Sequence, residues 1–225
     1  MLQPRTAQSL VLQISRMYIE PMSDGAKKNW NKTYQARKMV STLDYAKNAY
    51  RHLQSQPRCM LLDIGCGDGR DSMYFSEQGV NVTAIDFSEE AIGKLQTRFP
   101  DINALVKDIL HMDFPDTSFD AIYAHLSLHY FDDPTTDAVL CNIRRMMKHN
   151  GLFFIRCKSI HDPLYGKGRE INEDMFLFHH TRHFFSAEYM REKLRDFEIL
   201  SLEETASSYE GKDSCFVEAI ARKTH

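Results

Sequence analysis

The feature that most constrains this 225-residue chain is Leu61-Leu62-Asp63-Ile64-Gly65-Cys66-Gly67-Asp68-Gly69-Arg70-Asp71, an apolar run that breaks into three alternating glycines. A strand that feeds a glycine turn and then a helix lets bare backbone approach a ligand, because glycine has no Cβ and tolerates φ > 0. The spacing is G-x-G-x-G and not the G-x-G-x-x-G of dinucleotide loops, so charge is the better guide to the ligand. Asp63, Asp68 and Asp71 bracket the loop with only Arg70 against them. A diphosphate lying on the helix that follows would meet like charge; a cationic, phosphate-free ligand would not.

From Arg58 onward, strand and helix signals alternate. Strands are expected over 59–64, 80–86, 102–106, 119–124 and 152–157. The helix after the glycines ends near Gly79. Ser88-Glu89-Glu90 caps the next, with Ile92, Leu95 and Phe99 facing inward, and Asp133-Pro134 opens a third that Asn150-Gly151 closes. Repeated βα units imply a parallel sheet wrapped on both faces, with the ligand at the C-terminal ends of the strands. The tail departs from this pattern: a polar and aromatic segment over 159–185, a helix from about Ser186, and two late strands over 197–202 and 215–221 that form a hairpin and so reverse one strand.

Asp63, Gly65, Gly67 and Gly69 match the first motif of the class I S-adenosylmethionine (SAM) dependent methyltransferases, which this chain resembles from about Arg58 to Lys223. The resemblance is to small-molecule enzymes of the tellurite-resistance and quinone-biosynthesis type. It implies a Rossmann-like α/β fold of seven strands, mostly parallel with one antiparallel, and helices on both faces. It implies SAM as cofactor, held around Gly65, Cys66 and Gly67. Asp86, ending the second strand, would accept from the ribose hydroxyls, and Asp108, ending the third, from the adenine amino group. Phe87 and Ile109 would sandwich the ring, and His125 would border the methionine portion. Three acids ending three consecutive strands are the specific signal. The expected reaction is an in-line displacement at a sulfonium methyl, in which positioning of the acceptor is most of the catalysis.

The acceptor side is sought after strands four and five. His129 and His183 are the candidate catalytic residues, and Arg182 and Tyr165 the candidate substrate contacts, within an aromatic and histidine-rich cap over 159–185. His179 and His183 stand four apart, but no acid completes a metal motif, and no metal is expected. Tyr189 and Lys193 form the Y-x-x-x-K pair of nicotinamide reductases without the glycine loop that accompanies it. The D/N-P-P-Y motif of DNA amino-methylating enzymes is missing, where this chain reads Ala124-His125-Leu126-Ser127.

Ahead of the domain, 1–57 reads as a helical segment or lid. Leu10, Val11, Ile14, Met17 and Tyr18 make an amphipathic helix over 6–19, and Trp30 to Tyr34 offers aromatics that could close over the cofactor, Tyr34 among them. Ser41-Thr42-Leu43-Asp44 opens a further helix. The remaining 58–225 is read as the methyltransferase domain with its cap. A formal net charge of -3 carries no broad basic surface, against a nucleic-acid partner. Five scattered cysteines without a C-x-x-C pair suit a reducing cytoplasm, and no stretch reaches membrane-spanning length. A small-molecule acceptor and a monomer or homodimer are expected.

Overall fold

The computed structural model describes residues 24–36, 44–56, 58–209 and 211–224. The amphipathic helix expected over 6–19, and the capping residues Ser41, Thr42 and Leu43, lie outside them. Two helices precede the sheet: α1 (Asp24–Ala36) and α2 (Asp44–Arg51). The alternating part follows as β1 (Met60–Ile64), α3 (Arg70–Glu77), β2 (Asn81–Asp86), α4 (Glu89–Arg98), β3 (Asn103–Val106), β4 (Phe119–His125), α5 (Asp133–Met146) and β5 (Met147–Lys158). A 3-10 turn at Ile109–His111 links β3 to β4.

Seven strands form one sheet in the order β3-β2-β1-β4-β5-β10-β9, where β9 is Glu198–Tyr209 and β10 is Lys212–Arg222. The first five run parallel and β10 lies antiparallel to both β5 and β9. This is the mostly parallel, Rossmann-like sheet with one reversed strand that the sequence predicts. Because side chains alternate across a strand, the core divides into two. Leu62, Ile64, Ile122, Ala124, Phe153 and Ile155 pack on one face, with α5 and the late helix α6 (Ala187–Lys193). Leu61, Ala121, Tyr123, Leu152 and Phe154 pack on the other, with α2, α3 and α4. Sheets buried on both faces need near-continuous apolar strands, which is what β1, β4 and β5 supply.

Local chemistry sets most helix starts. Ser88 Oγ accepts from Ala91 N–H, Asp132 from Thr135 N–H and Ser186 from Tyr189 N–H, each satisfying a donor that a helix N-terminus leaves open. Two expectations change. The helix before β5 ends at Met146 and not at Asn150-Gly151, because Met147 already pairs with Phe119 of β4 and the chain is extended from there. The segment after β5 is not a plain loop. It holds a small antiparallel sheet of β6 (Arg169–Asn172), β7 (Met175–Phe178) and β8 (His180–His183). Among the described residues no helix is long and apolar enough to cross a membrane.

Candidate active site

The strand-to-helix turn after β1 is built as a cradle. Gly65, Gly67 and Gly69 have φ of 70°, 58° and 87°, a region that strains other residues. A Cβ on Gly65 would lie 2.5 Å from Ser127 Cβ, and one on Gly67 2.7 Å from the Tyr34 hydroxyl. The loop is therefore pressed between the β4 side and α1, with bare backbone at both approaches. Asp86 ties it down: its Oδ2 accepts from Gly67 N–H at 2.9 Å and its Oδ1 from Ser88 N–H at 2.8 Å.

A cavity of about 1270 Å³ opens from this loop across the C-terminal ends of β1, β4 and β5 to the small sheet. Its glycine end is acidic. Asp63 is buried, accepts from Ser72 Oγ–H, and is pushed by burial up to about 7. Burial likewise pushes Asp86 up to about 6, against the backbone donors of Ser88, Gly67 and Phe87 that favour its ionised form. Asp71 is held below the usual carboxylate range: burial pushes it up, but His125, Arg70 and the Tyr123 hydroxyl outweigh that. The Arg70 guanidinium forks onto Asp71 at 3.0 and 3.2 Å and stands 3.2 Å from His125 Nδ1. Asp68 Oδ2, Arg70 Nη1 and His129 Nδ1 are buried without a protein hydrogen-bond partner, and all three residues line the cavity.

The expected site residues separate into three groups. Tyr34, Asp63, Gly65, Cys66, Gly67, His125, His129 and Arg182 line the cavity. His129 is 1% exposed, and burial, with Arg182 and Lys158 adding to it, holds its imidazole well below the usual histidine range. Asp86, Phe87, Asp108 and Ile109 sit at the ends of β2 and β3, outside the lining residues. α1 covers that side: Ser88 Oγ–H donates to Asn31 at 2.6 Å, Gln35 to Glu90 at 2.9 Å, and the Lys94 ammonium to the Tyr34 carbonyl. Asp108 caps the 3-10 turn by accepting from Leu110 N–H.

Two expected acceptor contacts are not brought to the cavity. The His183 ring lies 3.1 Å from the Phe131 carbonyl through Nδ1 and packs on Phe185 and Tyr189. Tyr165 donates to Asp174 at 2.7 Å and packs on Phe176 and Phe184. The reductase-like pair is structural too, since Lys193 is buried and ion-paired with Asp133 at 2.6 Å and Asp137 at 3.0 Å in α5. Among the described residues, no group of three or more His, Cys, Asp or Glu could hold a metal. The sequence reading missed Tyr209, Lys212 and Ser214 of the β9–β10 hairpin, which line the cavity from more than fifty residues beyond His129. Only the hairpin's reversal brings them there, and no local motif announces it.

An acidic glycine cradle at the end of β1, followed by a parallel sheet closed by one reversed strand, defines the class I SAM-dependent methyltransferase fold. Residues 61–151 match the family model described as a methyltransferase domain. An uncharacterized methyltransferase of Synechocystis is 25% identical over 115 residues, 50% of this chain and 52% of that protein. A SAM-dependent methyltransferase of Methanosarcina mazei superposes with a TM-score of 0.68 at 24% identity, over 78% of this chain and 97% of that one. The 1,6-didemethyltoxoflavin-N1-methyltransferase of Burkholderia thailandensis, solved with 1,6-didemethyltoxoflavin and S-adenosylhomocysteine, gives 0.66 at 20% identity, over 100% of this chain and 94% of that one. The chain spans about half the length of the curated relatives it matches. The site fits SAM: buried Asp68 has an acceptor oxygen to spare, the glycine backbone is bare, and the charge suits a cation.

Proposed function

We propose that the chain transfers the methyl group of SAM to a small-molecule acceptor. The observation that carries this is the buried acidic cradle opening into one cavity with His129, whose Nδ1 lacks a protein partner. The concave shape of the cavity, and the small-molecule acceptor of the Burkholderia relative, support a small substrate.

SAM supplies a sulfonium methyl that is already activated. Asp63 and Asp68 receive the ammonium of the amino-acid end, and Asp86 offers the lone pairs that Gly67 and Ser88 leave to the ribose hydroxyls. Phe87, Asp108 and Ile109 flank the adenine. His129 stays neutral, because burial and neighbouring cations oppose its protonation, and takes a proton from the attacking atom as the methyl moves. Arg182 steadies the acceptor. Residues 1–57 serve as a lid on the domain of 58–225, with 159–185 as its cap; the contacts of α1 with α4, and of Tyr34 with the glycine loop, support the lid.

Thermal unfolding with SAM, S-adenosylhomocysteine, NAD and NADP tests the reading. At about a hundred times its Kd, a ligand adds roughly 2.7 kcal/mol, a rise of about 5–10 °C for a domain of this size. A rise with the first two alone is expected; a rise with NAD or NADP alone would overturn it.

A further inference from the structure

The cavity's charges separate by end. Asp63, Asp68 and Asp71 stand at the glycine loop, where Arg70 is paired with Asp71. Lys158, Lys167, Arg182 and Lys212 line it from the end of β5, the cap and the β9–β10 turn, against one lining carboxylate from those segments, Asp213. Of these four cations only Lys158 has a carboxylate partner among the described residues. It is 6% exposed, donates to Asp162 at 2.7 Å and to Ser214 at 2.9 Å, and its third N–H has no protein acceptor. Arg182 donates to the Phe178 carbonyl and bonds the Tyr130 hydroxyl, neither of which neutralises a guanidinium. Cations that converge on a concave site without matching carboxylates are completed by an anionic ligand, through charge-assisted hydrogen bonds.

We propose that the methyl acceptor is an organic anion, a carboxylate- or phosphate-bearing small molecule whose charged group docks between Arg182, Lys158 and Lys212, with its nucleophilic atom toward His129. The proposal rests on the cofactor reading above and names the substrate class for the same site. Cationic cofactor and anionic acceptor would then sort to opposite ends of one cavity, each repelled from the other's place. Trp30 stacks on His180 at 4.8 Å and meets Tyr130 edge-on at 5.6 Å, making an aromatic wall for the acceptor's carbon skeleton. In the reaction the acceptor's lone pair forms the bond to the methyl carbon and the C–S electron pair returns to sulfur. The acceptor's proton passes to His129 Nδ1 and then to solvent. The anionic group is unchanged.

The test titrates benzoate, phenyl phosphate and uncharged benzamide into the full chain, with and without saturating S-adenosylhomocysteine, whose own affinity is measured first. Saturable binding of benzoate or phenyl phosphate but not benzamide is expected, and the stronger of the two identifies the acid. Arg182→Gln and Lys212→Glu should each weaken that binding roughly tenfold, and change the affinity for S-adenosylhomocysteine by less than about twofold. Lys212 is exposed, so its variant keeps the test open if Arg182→Gln fails to fold. Equal binding of benzamide, anion binding unchanged in both variants, or no saturable anion binding in the millimolar range would overturn the proposal. Loss of S-adenosylhomocysteine binding would instead strike the cofactor reading, since the anion titration is also run without it.

Discussion

The affinity for SAM should climb steeply with pH, because burial holds Asp63 at about 7. An ordinary aspartate titrates near 3.9, so keeping Asp63 ionised in the empty fold costs about 4 kcal/mol more than in the unfolded chain. The sign follows from which state keeps its proton. Between about 4 and 7 the folded chain holds protons that the unfolded chain has lost, so stability falls as pH rises through that window. A cation that meets the ionised carboxylate reverses its shift, and binding expels whatever proton it carries. If the bound site restores Asp63 to about 4, affinity rises roughly a hundredfold between about pH 5 and pH 8. Calorimetric titration of SAM across this range, in buffers of differing ionisation enthalpy, reads affinity and proton release together. Asp63→Asn should remove most of the slope. A flat affinity with no buffer-dependent heat would refute the coupling of this carboxylate to the ligand's charge.

Three further substitutions separate roles. Asp86→Ala deletes the acceptor of both Gly67 and Ser88 N–H; SAM binding, followed by fluorescence or calorimetry, should weaken ten- to a hundredfold, from roughly 1.5–3 kcal/mol of lost charge-assisted bonds. His129→Ala should lower kcat by about 10²-fold or more with any acceptor that turns over, and leave the Kd of S-adenosylhomocysteine unchanged. In the wild type the acid limb of kcat should lie well below pH 6.5, since burial keeps this imidazole neutral. Lys193→Ala removes the buried partner of the two half-exposed carboxylates Asp133 and Asp137. It should cost about 1–3 kcal/mol in denaturant unfolding without altering SAM affinity; lost binding would return the Tyr189 and Lys193 pair to the active site.

What was legible in the sequence was what local rules decide. The cradle follows from glycines at positive φ after an apolar strand, and the helix starts near Ser88, Asp133-Pro134 and Ser186 follow from local residue preferences, the cap of α5 proving to be Asp132, one residue earlier than its expected start. The acceptor side depends on parity and on long-range pairing, which spacing alone does not give. β8 makes the point. Arg182 and His183 looked like joint candidates because they are neighbours in a histidine-rich stretch, but in a strand adjacent side chains point to opposite faces. His180 and Arg182 line the cavity, and His183 turns to Phe185 and Tyr189. Read as a loop, the segment offers both residues; recognised as a strand, it allows only one of them.

The same parity explains how polar chemistry reaches a sheet buried on both faces. Asp63 pairs in register with Tyr123, His125 with Arg156, and Lys158 with Phe216, so these side chains share the face that carries α2 and α3. Toward the C-terminal strand ends that face stops being apolar. Leu61, Ala121 and Phe154 give way to Asp63, Tyr123, His125, Arg156 and Lys158, where the helices no longer cover it. β10 then supplies what parallel strands cannot. Because it runs antiparallel to β5, its start and the turn from Tyr209 to Lys212 arrive at the ligand edge, beside Lys158. Had this last pair run parallel to the rest, that turn would lie at the opposite end of the sheet and the cap-end cations would lose Lys212 and Ser214. The reversed strand is thus what lets residues from the end of the chain complete an acceptor site whose acidic half was laid down by its first strand.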